Sequence, residues 1–173
     1  MAVNLQTRVS DAKHWSWTLK HDIVKFKENL GAAMSMEPSN NGWTIQQERF
    51  FSNQSAQEHS LLIDAGNFFK AAHNLQAPTT TDIEDRVRHL RNIHEHWEDN
   101  RKYFTGEEND LSRARASVKW FKINFPQANP CSRGWSNATG YDIGGILNLD
   151  NILREIASVE NVIRQKFEEL KAD

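Results

Sequence analysis

The chain has 173 residues, enough for one domain that buries a real core without disulfides or a structural metal. Apolar residues make up 38% and charged residues 25%, while six Trp and nine Phe supply large buried area per residue. A formal net charge of −2 argues against a general nucleic-acid coat and against an acidic tail, so attraction to a polyanion has to come from a local patch. The single cysteine, Cys131, excludes an internal disulfide framework and a multi-Cys zinc site, and no metal or other cofactor is expected. The N-terminal MAVNLQTRVSDAKHW lacks the apolar run of a secretory signal, and no apolar stretch is long enough to span a bilayer. A soluble, cytoplasmic protein without membrane contact is expected.

In chain order, residues 1–9 read as a short lead-in. Over 10–30, Trp15, Leu19, Ile23, Phe26 and Leu30 recur at helical spacing, with Gly31 as the stop. His14 and His21 share a face and read most simply as exposed. Pro, Ser, Asn and Gly make 34–43 a loop. Thr44 with Gln47 forms a capping box that opens a helix to residue 75, on Ile45, Phe50, Phe51, Leu62, Ile63, Phe68, Phe69 and Ala72. Its polar middle, 52–60, predicts a kink or break.

Residues 81–102 predict one further helix, opened by a capping box of Thr81 and Glu84 after Pro78. At about 100° per residue, Ile83, Val87, Leu90, Ile93, His94 and Trp97 form its core stripe. Arg88, Asn92, Glu95 and Asp99 lie opposite, with Arg91 and His96 on the two flanks. His94 reads as a hydrogen-bonded interior or interface histidine. His89 and His96, seven apart, would stand about 10 Å from each other, too far to chelate one metal ion.

Residues 105–110 read as a turn and 111–125 as a helix with Ala114, Val118, Phe121 and Phe125 inward, ended by Pro126. Gly140, Gly144 and Gly145 interrupt an apolar stretch, and 137–140 can turn a small hairpin within 133–147. Asp150 caps a last helix to residue 171 on Ile152, Leu153, Ile156, Val159, Ile163, Phe167 and Leu170. The sum is a single all-α domain over 1–173, a bundle of about five helices with a short β excursion.

The charges are unevenly spread. No acidic residue falls between positions 111 and 141, while Arg113, Arg115, Lys119, Lys122 and Arg133 are all basic. Trp120, Phe121, Trp135 and Tyr141 are interleaved with them, the pattern of a groove that tracks a phosphate backbone and stacks bases. The alternative is a solvated face balancing acidic neighbours such as Glu107, Glu108 and Asp110.

The segment Arg91-Asn92-Ile93-His94-Glu95-His96 sets an Arg, then Asn, five positions before a His. Three Arg-to-His spacings of this kind occur (Arg8 to His14, Arg88 to His94, Arg91 to His96), and only the last has Asn directly after the Arg. It resembles the R-x(4–6)-H signature of the HEPN superfamily, small all-α domains of which many are metal-independent RNases. The resemblance covers the motif helix and the long-helix character of the whole. It implies a composite active site, formed where the motif helices of two protomers meet, with Arg91, Asn92 and His96 as its residues and RNA as substrate.

The chemistry is consistent with those residue types. RNA cleavage without metal needs one group to take the 2′-hydroxyl proton, one to protonate the 5′-oxygen, and one to stabilise the pentavalent phosphate. An imidazole titrates near neutrality and suits either proton transfer, so His96 is the candidate general acid or base. Arg91 offers a permanently charged planar fork for phosphate oxygens. Asn92 can orient either through its amide.

Five residues along a helix correspond to about 140°, so Arg91 and His96 do not converge on one rod. A two-fold homodimer through the 81–102 helix would bring Arg91 of one chain to His96 of the other. Where toxin members of the family often carry a Tyr two residues after the His, Glu98 stands here, so the toxin–antitoxin version is not expected. Glu95, Glu98 and Asp99 also flank His96 and would repel an RNA backbone. Two other readings remain: a non-catalytic helical interaction protein, and a nucleotide-binding module that uses Arg91 and His96 on phosphate without turnover.

Overall fold

The computed structural model describes residues 4–36, 44–130, 133–136 and 140–172, without the side chains of Gln46, Phe51 and residues 133–136. Cys131, most of the 34–43 loop and the tip of the 137–140 turn lie outside the described residues.

Two long helices carry the molecule. α1 (Leu5–Ser35) buries Leu19, Ile23, Phe26 and Leu30, the i, i+4, i+3 stripe expected of it. It begins within the expected lead-in, where Asn4 Oδ1 accepts the Thr7 N–H at 2.8 Å. It also continues past Gly31, since the stripe extends to the buried Ala33.

α2 (Ile45–Asn74) opens with the expected Thr44–Gln47 capping box. The Gln47 amide also donates to the carbonyls of Ala33 at 2.9 Å and Met36 at 3.1 Å, so one side chain serves the start of α2 and the free carbonyls at the end of α1. No break occurs over 52–60. The buried positions 54, 58, 61, 65, 68 and 72 keep helical spacing straight through it, because Gln54 and Glu58 point inward and hydrogen-bond each other. Ile45 and Ile63, expected inside, are exposed.

The expected 81–102 helix is three pieces: α3 (Thr81–Glu95), α4 (Trp97–Asn100) and α5 (Lys102–Thr105). The ladder breaks at His96, whose backbone sits at φ −121°, ψ 34°. The Ile93 carbonyl instead accepts from the side-chain amide of Asn100 at 3.3 Å, and Asn100 is buried. At the other end Thr80, not Thr81, is the cap residue. Its N–H and hydroxyl donate to the Glu155 carboxylate at 3.0 and 2.5 Å, while Glu84 pairs with His73 at 2.9 Å.

The expected 111–125 helix is likewise shorter. A 3-10 turn, Leu111–Arg113, is capped by Asp110, and α6 (Ala116–Asn124) follows. A small antiparallel sheet orders β1 (Arg133–Ser136), β2 (Gly140–Ile143) and β3 (Leu147–Asn148), so the hairpin expected within 133–147 is present with a third strand added. Gly140 adopts φ +88°, and a Cβ there would strike the Asp150 carboxylate. α7 (Leu149–Ala172) closes the chain, with Asn148 Oδ1 accepting the N–H groups of Asp150 and Asn151. Asp150, the expected cap, pairs with Lys27 at 2.6 Å instead.

The core forms where α1 packs on α2 and α7, α2 on α3, and α3 on α6, with the sheet against α7. Leu62, Phe68, Leu90, Ile93, Phe121 and Ile156 are fully enclosed there. Each such side chain contributes about 1.5–3 kcal/mol of transfer free energy. No helix among the described residues is long and apolar enough to cross a membrane.

Candidate functional site

Arg91 and Asn92 lie in the last two turns of α3, and His96 stands at its broken end. Arg91 is half-buried, and its Nε donates to Glu95 Oε1 at 2.9 Å. Gly66 of α2 makes room for it: a Cβ there would come within 3.0 Å of the guanidinium. Asn92 orients neither Arg91 nor His96. Its amide donates to Ser117 Oγ of α6 at 3.3 Å. The same hydroxyl meets His89 Nδ1 at 3.1 Å, and the His89 ring stacks on Trp120 with centroids 4.2 Å apart. Burial first, then the Arg88 charge, hold His89 below the usual imidazole range. His96 is exposed, and no side-chain hydrogen bond, ion pair or ring contact engages it among the described residues. The motif residues are therefore not assembled within one chain.

The basic segment is mostly engaged at home. Arg115 pairs with Asp99 at 3.0 Å, Lys119 donates to the Ser112 carbonyl at 2.8 Å, and Lys122 sits 4.8 Å over the Phe104 ring. Arg113 alone among the four described cations is exposed with no side-chain partner among the described residues. The Arg133 side chain lies outside the described residues.

A cleft of about 380 Å³ runs between α2 and α3, lined among others by Lys70, His73, Arg88, Arg91 and Asn92. Lys70 and His73 belong to the α2 wall, which sequence reasoning did not connect with Arg91.

A second group escaped sequence reasoning altogether. Gln54, Glu58 and Tyr141 are buried at 1%, 4% and 2% exposure. Glu58 Oε1 accepts from the Gln54 amide at 2.9 Å and from the Tyr141 hydroxyl in a short contact, and the same amide also meets that hydroxyl. A cavity of about 270 Å³ beside them is lined by Ser55, Ala56, Glu58, His59, His94 and Trp97. The His59 and His94 rings are 6.2 Å apart. His94 is, as expected, a hydrogen-bonded interior histidine, with Nε2 3.2 Å from the Pro130 carbonyl. A carbonyl only accepts, so that nitrogen carries the proton and Nδ1 of the neutral ring is an acceptor. Burial pushes His94 below the usual range, with the Pro130 carbonyl and the Glu58 charge acting the other way. The signal was available: positions 54 and 58 continue the inward spacing of 61, 65 and 68, so polar residues there stand at core positions.

Among the described residues no group of three or more His, Cys, Asp and Glu is placed to hold a metal ion. Compared with protein-family models, with curated proteins and with solved structures, the chain matches none.

Proposed function

We propose that the chain is a HEPN-like helical protein that acts on RNA as a homodimer, with Arg91 and His96 of facing copies forming a metal-independent endoribonuclease site. The observation that carries the reading is the exposed, unengaged His96 imidazole at the broken end of the helix that bears Arg91. The Arg91–Glu95 pair is no obstacle. A surface i, i+4 ion pair contributes about 0.3–0.5 kcal/mol, less than a charge-assisted hydrogen bond to phosphate. His96 would exchange protons with the 2′- and 5′-oxygens, and Arg91 would hold the equatorial oxygens as negative charge builds on them. The two side chains stand on different flanks of one chain, so the reading requires the second copy.

RNA incubated with the protein in EDTA should be cleaved. His96→Ala and Arg91→Ala should each lower the rate roughly 100-fold or more, with unchanged circular dichroism. Cleavage that survives both substitutions removes the reading.

A second reading, nucleotide binding without turnover, is expected from the sequence to use Arg91 and His96; the α2–α3 cleft, whose lining includes Lys70, Arg88 and Arg91 but not His96, favours it with Lys70 in place of His96. It gives phosphate binding that Lys70→Ala and Arg91→Ala weaken and His96→Ala leaves alone.

A further inference from the structure

Burying a carboxylate among polar groups that are not cations demands hydrogen-bond donors, and Glu58 has fewer than it can take. Gln54 and Tyr141 both donate to Oε1, leaving Oε2 unengaged among the described residues, and no Lys or Arg pairs with Glu58 there. Two buried polar atoms, Gln54 Oε1 and His59 Nε2, have no hydrogen-bond partner among the described residues. His94 adds the acceptor Nδ1, because its other nitrogen is held by Pro130. The cavity wall thus offers Glu58 Oε2 and His94 Nδ1 as acceptors. On its border stands the half-buried indole of Trp97, itself stacked on Phe104 with centroids 6.1 Å apart. About 270 Å³ lies near the lower limit of small-molecule sites, suited to one flat ring system and too small for a whole nucleotide.

We infer that this cavity is a base pocket that takes guanine. Guanine alone among the four RNA bases sets two N–H donors, N1–H and the N2 amino group, side by side on its Watson–Crick edge. With Oε1 taken by Gln54 and Tyr141, that pair converges on the two lone pairs of Oε2, whereas the other bases would turn an acceptor toward it. Unpaired bases are read in this way, by edge hydrogen bonds and by stacking on an aromatic ring. The position has a consequence for the proposed reaction. His94 and Trp97 line the cavity and flank His96 in the chain, so a guanine seated here belongs to a nucleotide next to the phosphate at His96. This assignment of substrate rests on the RNA reading; the guanine site itself does not.

The full chain titrated with GMP and with AMP, by calorimetry and tryptophan fluorescence, tests it. GMP should bind at least tenfold more tightly than AMP, with quenching that Trp97→Phe largely removes. Glu58→Gln, which can still accept the Tyr141 hydroxyl, should abolish the preference. Equal affinity for the two nucleotides, no GMP binding, or a preference that persists in folded Glu58→Gln overturns the pocket. Should that variant fail to fold, the wild-type GMP/AMP ratio and the Trp97→Phe signal still decide. Guanine-indifferent RNA cleavage without GMP binding overturns the pocket and leaves the nuclease reading standing. Glu58-dependent GMP binding without cleavage in EDTA does the reverse.

Discussion

Asp64 illustrates how a single half-buried contact sets the response to pH. Burial, then the charge of Asp22 and a hydrogen bond with it, push the Asp64 carboxyl up to about 6 from 3.8. With the folded value above the unfolded one, the native state holds the proton more tightly, so stability falls as pH rises from 3.8 to 6 and stays reduced above. Asp64→Asn should therefore raise stability at pH 7.5 by about 1 kcal/mol, a figure discounted for solvent screening, and change little at pH 4. Urea midpoints at the two pH values check this, and a loss at pH 7.5 would contradict it. His94 has the opposite sign. Its value is depressed, so its contribution is complete above pH 6.5 and declines as pH falls below. Asn100 bears a plainer load. Asn100→Ala strands the buried Ile93 carbonyl and should cost about 1–3 kcal/mol in urea unfolding. An unchanged midpoint would mean the amide is dispensable at the break.

At its start, α3 is held from another helix. Its first turn has no cap of its own, and α7 supplies the acceptor through Glu155. Glu155→Ala should thus cost about 1 kcal/mol, and Thr80→Ala should add little to it in a double-mutant cycle. Additive losses would show that the two act separately. Such ties explain what could and could not be read from the residues. The stripes of α1 and α3 were legible because burial follows helical spacing, as was that of α7 up to Ile163, beyond which the expected Phe167 is exposed, and the Thr44–Gln47 box because its partners are three residues apart. The Thr81–Glu84 box failed because Glu84 met His73 and Thr80 met Glu155, contacts across the fold that no local pattern contains. The break at His96 was hidden for the same reason, since a carbonyl left free there is satisfied by Asn100, seven residues from Ile93. Within 52–60, whose polarity predicts a break, Gln54 and Glu58 are the polar part of the core while Ser52, Asn53, Ser55 and Ser60 are exposed. On α6 and its approach, Arg113→Ala should weaken RNA binding about equally for all sequences and lower the salt slope by about 1. An unchanged slope would detach this segment from the phosphate backbone.

Taken whole, the molecule is a helical bundle in which the two parts of the proposed chemistry stand apart. Arg91 faces α2, and His96 is exposed where α3 stops. The motif was legible as spacing; its incompleteness in one chain was legible from the same spacing, by the angle between the two residues. What no spacing contained was the neighbourhood, with Asn92 drawn to Ser117 and a carboxylate–imidazole cavity lined by Glu58, His59 and His94. The proposed site is shared by two copies, and subunit complementation measures that directly. Arg91→Ala and His96→Ala proteins, each inactive alone, are mixed, allowed to exchange subunits, and assayed on RNA in EDTA. Half of the dimers are then mixed, and each carries one intact site of two, so roughly a quarter of wild-type activity should return. A mixture as inactive as its components would contradict a site built across the two-fold.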